Sequence, residues 1–336
     1  MADRSVETAE TGPRAVRARR PPKPPVDPLR PLGVVVEDEP EPPAAAGEES
    51  RPVTAATVFL AGAECPFTCV FCDLWRHTLD GPTPAGAIPA QLDRAAAEIA
   101  ERTGGRPPRA LKLYNASNFF DPRAVPPDDD PAIVARTAAS ARVVVECHPR
   151  LIASRAGEAR CLALAEALAA RGSRLEVAMG LETIHPGALP KLGKGMRLAD
   201  FERAAELLTG AGVPVRAFVL VGAPYVPAAE TVHWAVESAA WAFERSVSFV
   251  ALIPVRGGNG TLELLAGRGE FAPPTAADLE AALAGALTEA ARHADAGRPR
   301  PVAVADPWDL DRLAGADEAL QARLLAMNRT QRAVSR

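Results

Sequence analysis

Residues 57–72 read Thr57-Val-Phe-Leu60-Ala-Gly-Ala-Glu-Cys65-Pro-Phe-Thr-Cys69-Val-Phe-Cys72. The first four residues are β-branched or apolar and predict a buried strand. The three cysteines follow directly after it, and Pro66 argues against a helix there. If this strand belongs to a parallel sheet, the cysteines lie at its carboxyl end, where α/β folds carry their chemistry.

The same pattern of a strand followed by a helix recurs about six times along the chain. Further strands are predicted at Ala110–Tyr114, Arg142–Glu146, Leu175–Met179, Val215–Val221 and Val247–Ile253. Apolar residues at helical spacing, such as Ile88, Leu92 and Ile99, separate these strands. This alternation predicts a parallel sheet with helices outside it, arranged as an open doubly wound sheet or as a full or partial barrel.

The two ends of the chain differ from this central part. Ten of the 33 prolines fall in residues 1–50, which predicts a mostly disordered, proline-rich arm with one short strand at residues 33–38. The basic run Arg14–Lys23 is interpreted as a solvated tail rather than an RNA contact. Residues 51–260 are expected to form the barrel. Residues 261–336 are expected to be an extension packed on it, with helices from Thr275 and around Leu324 and a strand at Val302–Val304.

Composition narrows the class of protein. The chain has 336 residues, and its 38 basic and 42 acidic side chains give a net charge of −4. It therefore lacks the strong positive charge that is typical of proteins that bind nucleic acid or a membrane surface. No apolar stretch approaches the length of a transmembrane helix, and the polar start of the chain does not resemble a signal peptide. A cytoplasmic location is therefore expected.

The chain has five cysteines, three of them within residues 65–72 at the spacing Cys65-x3-Cys69-x2-Cys72. A disulfide framework would be spread along a short secreted chain, so ligation of a metal or cluster is the better interpretation. Three thiolates on one loop can hold three irons of a [4Fe–4S] cube. The fourth iron is then open to a small molecule that has an amino and a carboxylate group.

Three alternatives remain open for these cysteines. They could form one face of a buried helix, although Pro66 opposes it. They could bind structural zinc with His77 as the fourth ligand. They could also hold an electron-transfer cluster, with Cys147 or Cys161 as the fourth ligand, although those two cysteines are expected to be buried packing residues.

The motif Cys65-x3-Cys69-x-Phe71-Cys72 resembles the signature of the radical SAM superfamily, including the aromatic residue before the last cysteine. The resemblance implies a partial (βα)6 TIM-like barrel, a [4Fe–4S] cluster and S-adenosyl-L-methionine bound to the open iron. One-electron reduction then cleaves this cofactor to methionine and a 5′-deoxyadenosyl radical. An outside reductant such as flavodoxin or ferredoxin is implied.

Further segments resemble the radical SAM proteins around archaeosine synthase, which share a catalytic domain type with the elongator subunit, the tRNA methylthiotransferases and the nitrogenase-cofactor protein. They are Lys112–Pro122, Val145–Pro149, Met179–Thr183 and Pro254–Gly260. In that family the reaction is C–N bond cleavage of a lysine adduct on a 7-deazaguanine in tRNA. A modified tRNA base is therefore one substrate hypothesis. The acidic balance of the chain, and the lack of a recognisable RNA-binding module, favour a small metabolite as the alternative.

The resemblance also implies residues that bind the cofactor, at the ends of the predicted strands. Asn115, Ser117 and Asn118 would contact the amino group of the methionine moiety, and Glu146 and Glu182 would accept from the ribose or hold the ammonium. Lys194 would pair with the methionine carboxylate, and Gly222 would let the backbone approach the adenine. Phe71 completes this set, with Cys65, Cys69 and Cys72 as the metal ligands. No residue is assigned a catalytic role.

Three other features lie at the predicted strand ends. The glycine-rich run Arg256–Gly260 could cradle a phosphate or carboxylate through its N–H groups, or could be a flexible connection. His148 and Tyr114 are expected near the same rim, more often as packed residues than as catalytic ones.

The alternative to an enzyme is a non-catalytic protein that binds zinc or carries electrons through an iron–sulfur cluster.

Overall fold

The computed structural model describes residues 10–333. It contains one eight-stranded sheet in which every strand pairs with its sequence neighbours, in the order β1 to β8. The strands are β1 (Gly33–Glu41), β2 (Arg51–Phe59), β3 (Ala110–Tyr114), β4 (Arg142–Glu146), β5 (Arg174–Glu182), β6 (Val215–Val221), β7 (Phe249–Pro254) and β8 (Val302–Ala305). β1 is antiparallel to β2, and all later pairs are parallel.

Helices connect the parallel strands and cover the outside of the sheet. They are α1 (Pro13–Ala18), α2 (Ala87–Thr103), α3 (Asp130–Thr137), α4 (Pro149–Ile152), α5 (Arg155–Ala169), α6 (Leu198–Gly210), α7 (Thr231–Glu244), α8 (Thr261–Gly267), α9 (Ala276–Asp295) and α10 (Glu318–Thr330). Their apolar faces pack on the strands to form one large core, as the 3.6-residue spacing predicts. The predicted partial TIM-like barrel is confirmed.

The curvature of the sheet is visible in the contacts of one carboxylate. Glu39 of β1 lies within 2.8 Å of Lys112 of β3, 3.2 Å of Arg142 of β4 and 2.8 Å of Arg216 of β6. Neighbouring strands are about 4.8 Å apart, so a flat sheet could not bring these strands to one side chain. The concave face therefore encloses a buried charge network, which Glu176 of β5 completes through Arg216 at 2.8 Å.

Residues 10–41 differ from the disordered arm that composition predicts for residues 1–50, and residues 1–9 of that arm lie outside the described residues. Residues 33–41 form β1, longer than the short strand expected, and its whole length pairs with β2. Ahead of it, Val16 is buried in the core, and Gln91 donates to the carbonyl of Pro28 at 2.8 Å. The buried side chain of Val16 and specific hydrogen bonds thus hold residues 10–32 against the barrel. A prediction of disorder from composition does not take such individual contacts into account.

The C-terminal region completes the barrel rather than lying on it as a separate layer. β8 extends the parallel sheet beside β7, and α10 contacts both edge strands, β1 and β8. The side-chain amides of Asn328 and Gln331 pair with both backbone groups of Ala305 and Ala303. These amides fill the hydrogen-bonding positions of the backbone of β8, an edge strand that could otherwise pair with another chain. No helix among the described residues is long and apolar enough to cross a bilayer.

Candidate active site

The cysteine loop (residues 65–72) follows β2 and is clamped by two later segments. Val70 donates its N–H to the carbonyl of Leu192 at 2.9 Å and accepts from Asn259 Nδ2 at 2.8 Å. Gly193 has a φ of +70°, and a Cβ at this position would lie 2.8 Å from the carbonyl oxygen of Thr68. A larger residue at 193 would therefore push the loop away.

N–H donors point at the sulfur atoms of this loop. Cys65 Sγ accepts from Asn118 Nδ2 at 3.3 Å and from the backbone of Phe67, and Cys72 Sγ accepts from the backbone of Leu74. Burial raises the pKa of Cys65, of Cys69 and of Cys72, the last to about 12. As free groups they are thiols, and as thiolates they would need the positive charge of bound iron or another cation.

The alternative ligands considered above lie elsewhere. His77 is exposed at the end of the short 3-10 turn Leu74–His77. Cys147 and Cys161 are buried in the apolar core, as predicted. Between residues 10 and 333, no three His, Cys, Asp or Glu side chains are gathered closely enough to hold a single metal ion.

The ends of β3 and β4 bring a polar cluster (Asn115, Ser117 and Glu146) beside the loop. Glu146 Oε1 accepts from the backbone N–H of Asn115 at 2.7 Å and also from that of Ala116. Burial nevertheless raises the pKa of Glu146 to about 7. Asn115 Nδ2 and Ser117 Oγ are buried without a hydrogen-bond partner. A buried polar atom without a partner is costly, so these groups mark a place where a polar ligand would be favourable.

Asn118 connects this polar cluster to the cysteine loop. While its Nδ2 faces Cys65, its Oδ1 accepts the backbone N–H of His148 at 2.7 Å. Four of the predicted residues, Asn115, Ser117, Asn118 and Glu146, therefore surround one corner of the barrel mouth.

Glu182 and Lys194 form a second element of the site. Glu182 ends β5 with a φ of +67°, and its Oε1 lies 2.7 Å from Lys194 Nζ. Burial opposes the ammonium, but the Glu182 carboxylate keeps the pKa of Lys194 above its usual value. The pair folds over Gly180, where a Cβ would lie only 2.1 Å from Glu182 Oε1. Gly180 is thus required by the pair.

His148 is a packed residue, as expected, rather than a free base. Its ring stacks on Phe67 of the cysteine loop, with 3.8 Å between ring centroids. Nδ1 accepts the N–H of Arg150, and Nε2 lies 3.0 Å from the carbonyl of Lys194, so the proton is on Nε2. Burial and the charge of Lys194 lower the pKa of His148 to about 3. The neutral ring therefore links the cysteine loop to residue 194.

The structure places two other predicted features in different surroundings. Gly222 has a φ of +78°, and a Cβ there would lie 2.6 Å from Pro274 Cδ, so packing against Pro274 already requires glycine. In the glycine-rich run, the N–H groups of Gly258 and Gly260 donate to Glu263. These two N–H groups are therefore occupied within the chain and are not free to hold a phosphate or carboxylate.

The remaining predicted residues are placed as follows. Phe71 is partly buried and packs against the main core. Tyr114 lies at the end of β3 with its ring edge-on to Phe218, 5.8 Å between centroids, and burial raises its pKa to about 12.

Sequence reasoning missed three contributors. Asn259 clamps the loop through Val70 and Cys72, Gly180 makes room for the ion pair, and Arg20 reaches Glu64 beside Cys65. The first two lie in segments that resemblance singled out, but their partners are far away in the chain. The charged network inside the barrel had a local signal, because Lys112, Glu176 and Arg216 each lie directly between two apolar residues of a strand.

Comparisons with known proteins return matches of structure. The chain matches no protein-family model and no curated protein sequence. The archaeal Elp3 of Methanocaldococcus infernus matches at 17% identity and a TM-score of 0.46, over 59% of this chain and 49% of that one. Coproporphyrinogen III oxidase of Escherichia coli, described as a radical SAM enzyme, matches at 14% identity and a TM-score of 0.41, over 78% and 52%.

A third solved structure is the radical S-adenosylmethionine methyltransferase TsrM of Kitasatospora setae, with tryptophan substrate and a SAM analogue bound. It matches at 18% identity and a TM-score of 0.40, over 61% of this chain and 38% of that one. The chain thus spans about half or less of the length of these three proteins. The likeness is one of fold.

Proposed function

We propose that this chain is a radical SAM enzyme, in which Cys65, Cys69 and Cys72 bind a [4Fe–4S] cluster and the strand ends bind S-adenosyl-L-methionine. The observation that carries the proposal is the cysteine loop at the carboxyl end of β2, whose sulfurs receive N–H donors from Asn118, Phe67 and Leu74. When bound, the cluster and the cofactor supply a one-electron reductive cleavage that generates a 5′-deoxyadenosyl radical.

The donor set fits a cluster. Hydrogen bonds to sulfur are among the interactions that tune an iron–sulfur centre, and Cys65 and Cys72 each receive at least one. The loop offers three thiols, and the nearest further cysteine in the chain, Cys147, is buried in the core. Three protein ligands leave one iron open, which a catalytic site needs.

The donors and acceptors of the polar cluster suit the amino-acid end of the cofactor. Its ammonium would be accepted by the Glu146 carboxylate and by the Ser117 hydroxyl, which is buried without a partner. Its carboxylate would accept from the unpartnered Asn115 Nδ2 or from Lys194. The roles of Ser117, Glu146 and Lys194 agree with those that the family resemblance implies, whereas that resemblance places Asn115 at the amino group instead. Phe71 and Gly222 belong to the same proposed site, although close packing against Pro274 is by itself enough to require glycine at position 222.

Two substrate classes remain within the proposal, a modified 7-deazaguanine in tRNA and a small metabolite. The contacts of the basic N-terminal run favour the small metabolite. Arg20 is paired with Glu64 at 2.7 Å and Lys23 with Asp80 at 2.9 Å, so these charges already have partners within the chain. Contacts with RNA phosphates require Lys or Arg side chains that are not already paired within the protein.

The first experiment is electron paramagnetic resonance on anaerobically reconstituted, dithionite-reduced protein, with and without S-adenosyl-L-methionine. We expect a [4Fe–4S]⁺ signal that changes when the cofactor is added, because the open iron becomes occupied. Cys69→Ala should lose the iron, and Cys161→Ala, a buried cysteine in the core, should keep it.

Other outcomes point to the rival functions. A cluster signal that ignores the cofactor would indicate a four-ligand electron carrier, and zinc in place of iron would indicate a structural metal site. For the substrate, tRNA binding is measured between 50 and 200 mM salt. Affinity that falls steeply with salt supports the tRNA substrate, and negligible binding supports the metabolite.

A further inference from the structure

The N-terminal segment (residues 10–32) crosses the outside of the cysteine loop. Its Val16 is buried in the core, and the carbonyl of Arg19 packs on Gly260, where a Cβ would lie 2.5 Å from it. Lys23 Nζ donates to the carbonyl of Thr78 at 2.8 Å. The segment therefore has a fixed path over the region that contains the three cysteines.

Within this segment, Arg20 contacts both flanks of the cysteine loop. Its Nη1 lies 2.7 Å from Glu64 Oε1, one residue before Cys65. Its guanidinium also lies over the ring of Trp75, 4.9 Å from the centroid and three residues after Cys72. The Arg20 side chain is only 12% exposed. A partly buried, permanently charged group thus bridges the two ends of the loop.

We propose that Arg20 is a positioning residue for the cysteine loop and that its charge raises the reduction potential of the cluster held there. The inference rests on the proposed function, because it requires the [4Fe–4S] cluster. Reduction adds one electron from an outside reductant and makes the cluster more negative. A nearby cation favours that state, and the effect is strong where water is excluded.

Glu64 provides a second charge of opposite sign at the same place. Its side chain is 33% exposed, and it is the partner of Arg20. Removing its charge would favour the reduced cluster, whereas removing the charge of Arg20 would disfavour it. A purely structural role of the contact would instead move both variants in the same direction, because both break the same ion pair.

The test is a redox titration of the reconstituted, full-length protein, with the [4Fe–4S]⁺ signal read by electron paramagnetic resonance without S-adenosyl-L-methionine. We expect Arg20→Gln to shift the midpoint potential to a more negative value and Glu64→Gln to a more positive one. Arg20→Lys should stay near wild type, since it retains the charge. Arg14→Gln is the matched control in the same segment, because Arg14 is exposed, and it should leave the potential unchanged.

The outcomes separate this inference from the proposed function. If the wild-type protein assembles no cluster, the proposed function fails. If it assembles one that responds to S-adenosyl-L-methionine, but Arg20→Gln and Glu64→Gln leave the potential unchanged or shift it in the same direction, the role of Arg20 is overturned. If Arg20→Gln does not hold a cluster, the midpoint potentials of Arg20→Lys and Glu64→Gln test the proposal instead. A potential of Glu64→Gln equal to that of wild type then overturns it.

Discussion

The carboxylate of Glu182 and the ammonium of Lys194 lie 2.7 Å apart, directly over the α-carbon of Gly180. Both side chains are almost fully buried, and neither the strand that carries Glu182 nor the loop that carries Lys194 would hold this geometry alone. The missing side chain at position 180 is what allows the pair to form beside the cysteine loop.

Gly180→Ala should therefore disturb the site. Its Cβ would lie 2.1 Å from Glu182 Oε1 and 2.6 Å from Lys194 Nζ, so the pair must separate. We expect a loss of about 1–3 kcal/mol in the free energy of unfolding, typical of overpacking, together with weaker binding of S-adenosyl-L-methionine. Denaturant unfolding and calorimetric titration measure the two effects. Gly210→Ala, with no heavy atom within 4 Å of the new Cβ, is the control; a variant at 180 that matches it would contradict the steric argument.

Binding of S-adenosyl-L-methionine should depend on pH through Glu146. Burial raises the pKa of this carboxyl to about 7, and only the ionised form can accept fully from the ligand ammonium. Below pH 7 the affinity should fall about tenfold per pH unit, and above it the affinity should level off. Calorimetric titration between pH 5.5 and 8.5 measures this. Glu146→Gln should bind weakly with no such slope, and a flat wild-type profile would argue against Glu146 as the acceptor.

The same carboxyl makes a prediction that needs no cofactor. A carboxyl with a raised folded pKa contributes most to stability below its unfolded pKa of about 4.3, and this contribution is lost as the pH rises through about 7. Glu146→Gln should therefore raise the Tm relative to wild type at pH 8 but not at pH 4. An equal change at both values would mean that ionisation of Glu146 is not the cause.

Asn259 should control how firmly iron is held. Asn259→Ala removes donors to the carbonyls of Val70 and Cys72, at 2.8 and 3.3 Å, and the acceptor for the first N–H groups of α8. We expect a loss of about 1–3 kcal/mol of stability and faster loss of iron to a chelator. Asn328→Ala, which breaks two hydrogen bonds at the distant edge of β8, is the control. It should lower stability without faster iron release; equal release rates would refute the clamp.

The charge network inside the barrel should dominate stability. Glu39→Gln leaves Arg216, Lys112 and Arg142 without their shared partner, and breaking a buried ion pair costs about 3–5 kcal/mol. Glu98→Gln, on the exposed surface of α2, removes a helical i,i+4 pair and should cost about 0.3–0.5 kcal/mol. Denaturant unfolding at pH 7 compares the two, and similar losses would contradict the buried network.

Acid should weaken the network in a defined range. Burial acts to raise the pKa of Glu39, but the cations of Arg216, Lys112 and Arg142 hold it well below its usual range. The stability from ionised Glu39 is thus fully present above the unfolded pKa of about 4.3 and is lost as the pH falls below it. The difference in unfolding free energy between wild type and Glu39→Gln should shrink as the pH falls from 5 to 2.

Local patterns predicted much of the fold and part of the site. Short, mainly apolar runs form β3, β4 and β6 with the predicted bounds, because burial on both faces demands mostly apolar strands. The same reasoning placed Cys161 in the core. It did not predict the order of residues 10–32 or the full length of β1, because composition reports apolar content but not the strand pairing and ion pairs that hold residues 10–41.

The sequence by itself determined the alternation of strands and helices, the loop of three cysteines after the first parallel strand, and the polar residues at the strand ends. These depend on residues close together in the chain. Only the tertiary structure decided that Glu39 gathers cations from three strands, that Asn259 clamps a loop 187 positions away, and that Arg20 lies beside Glu64. The physical reason is that these contacts form only when the sheet curls, and no local propensity encodes which distant charges then meet.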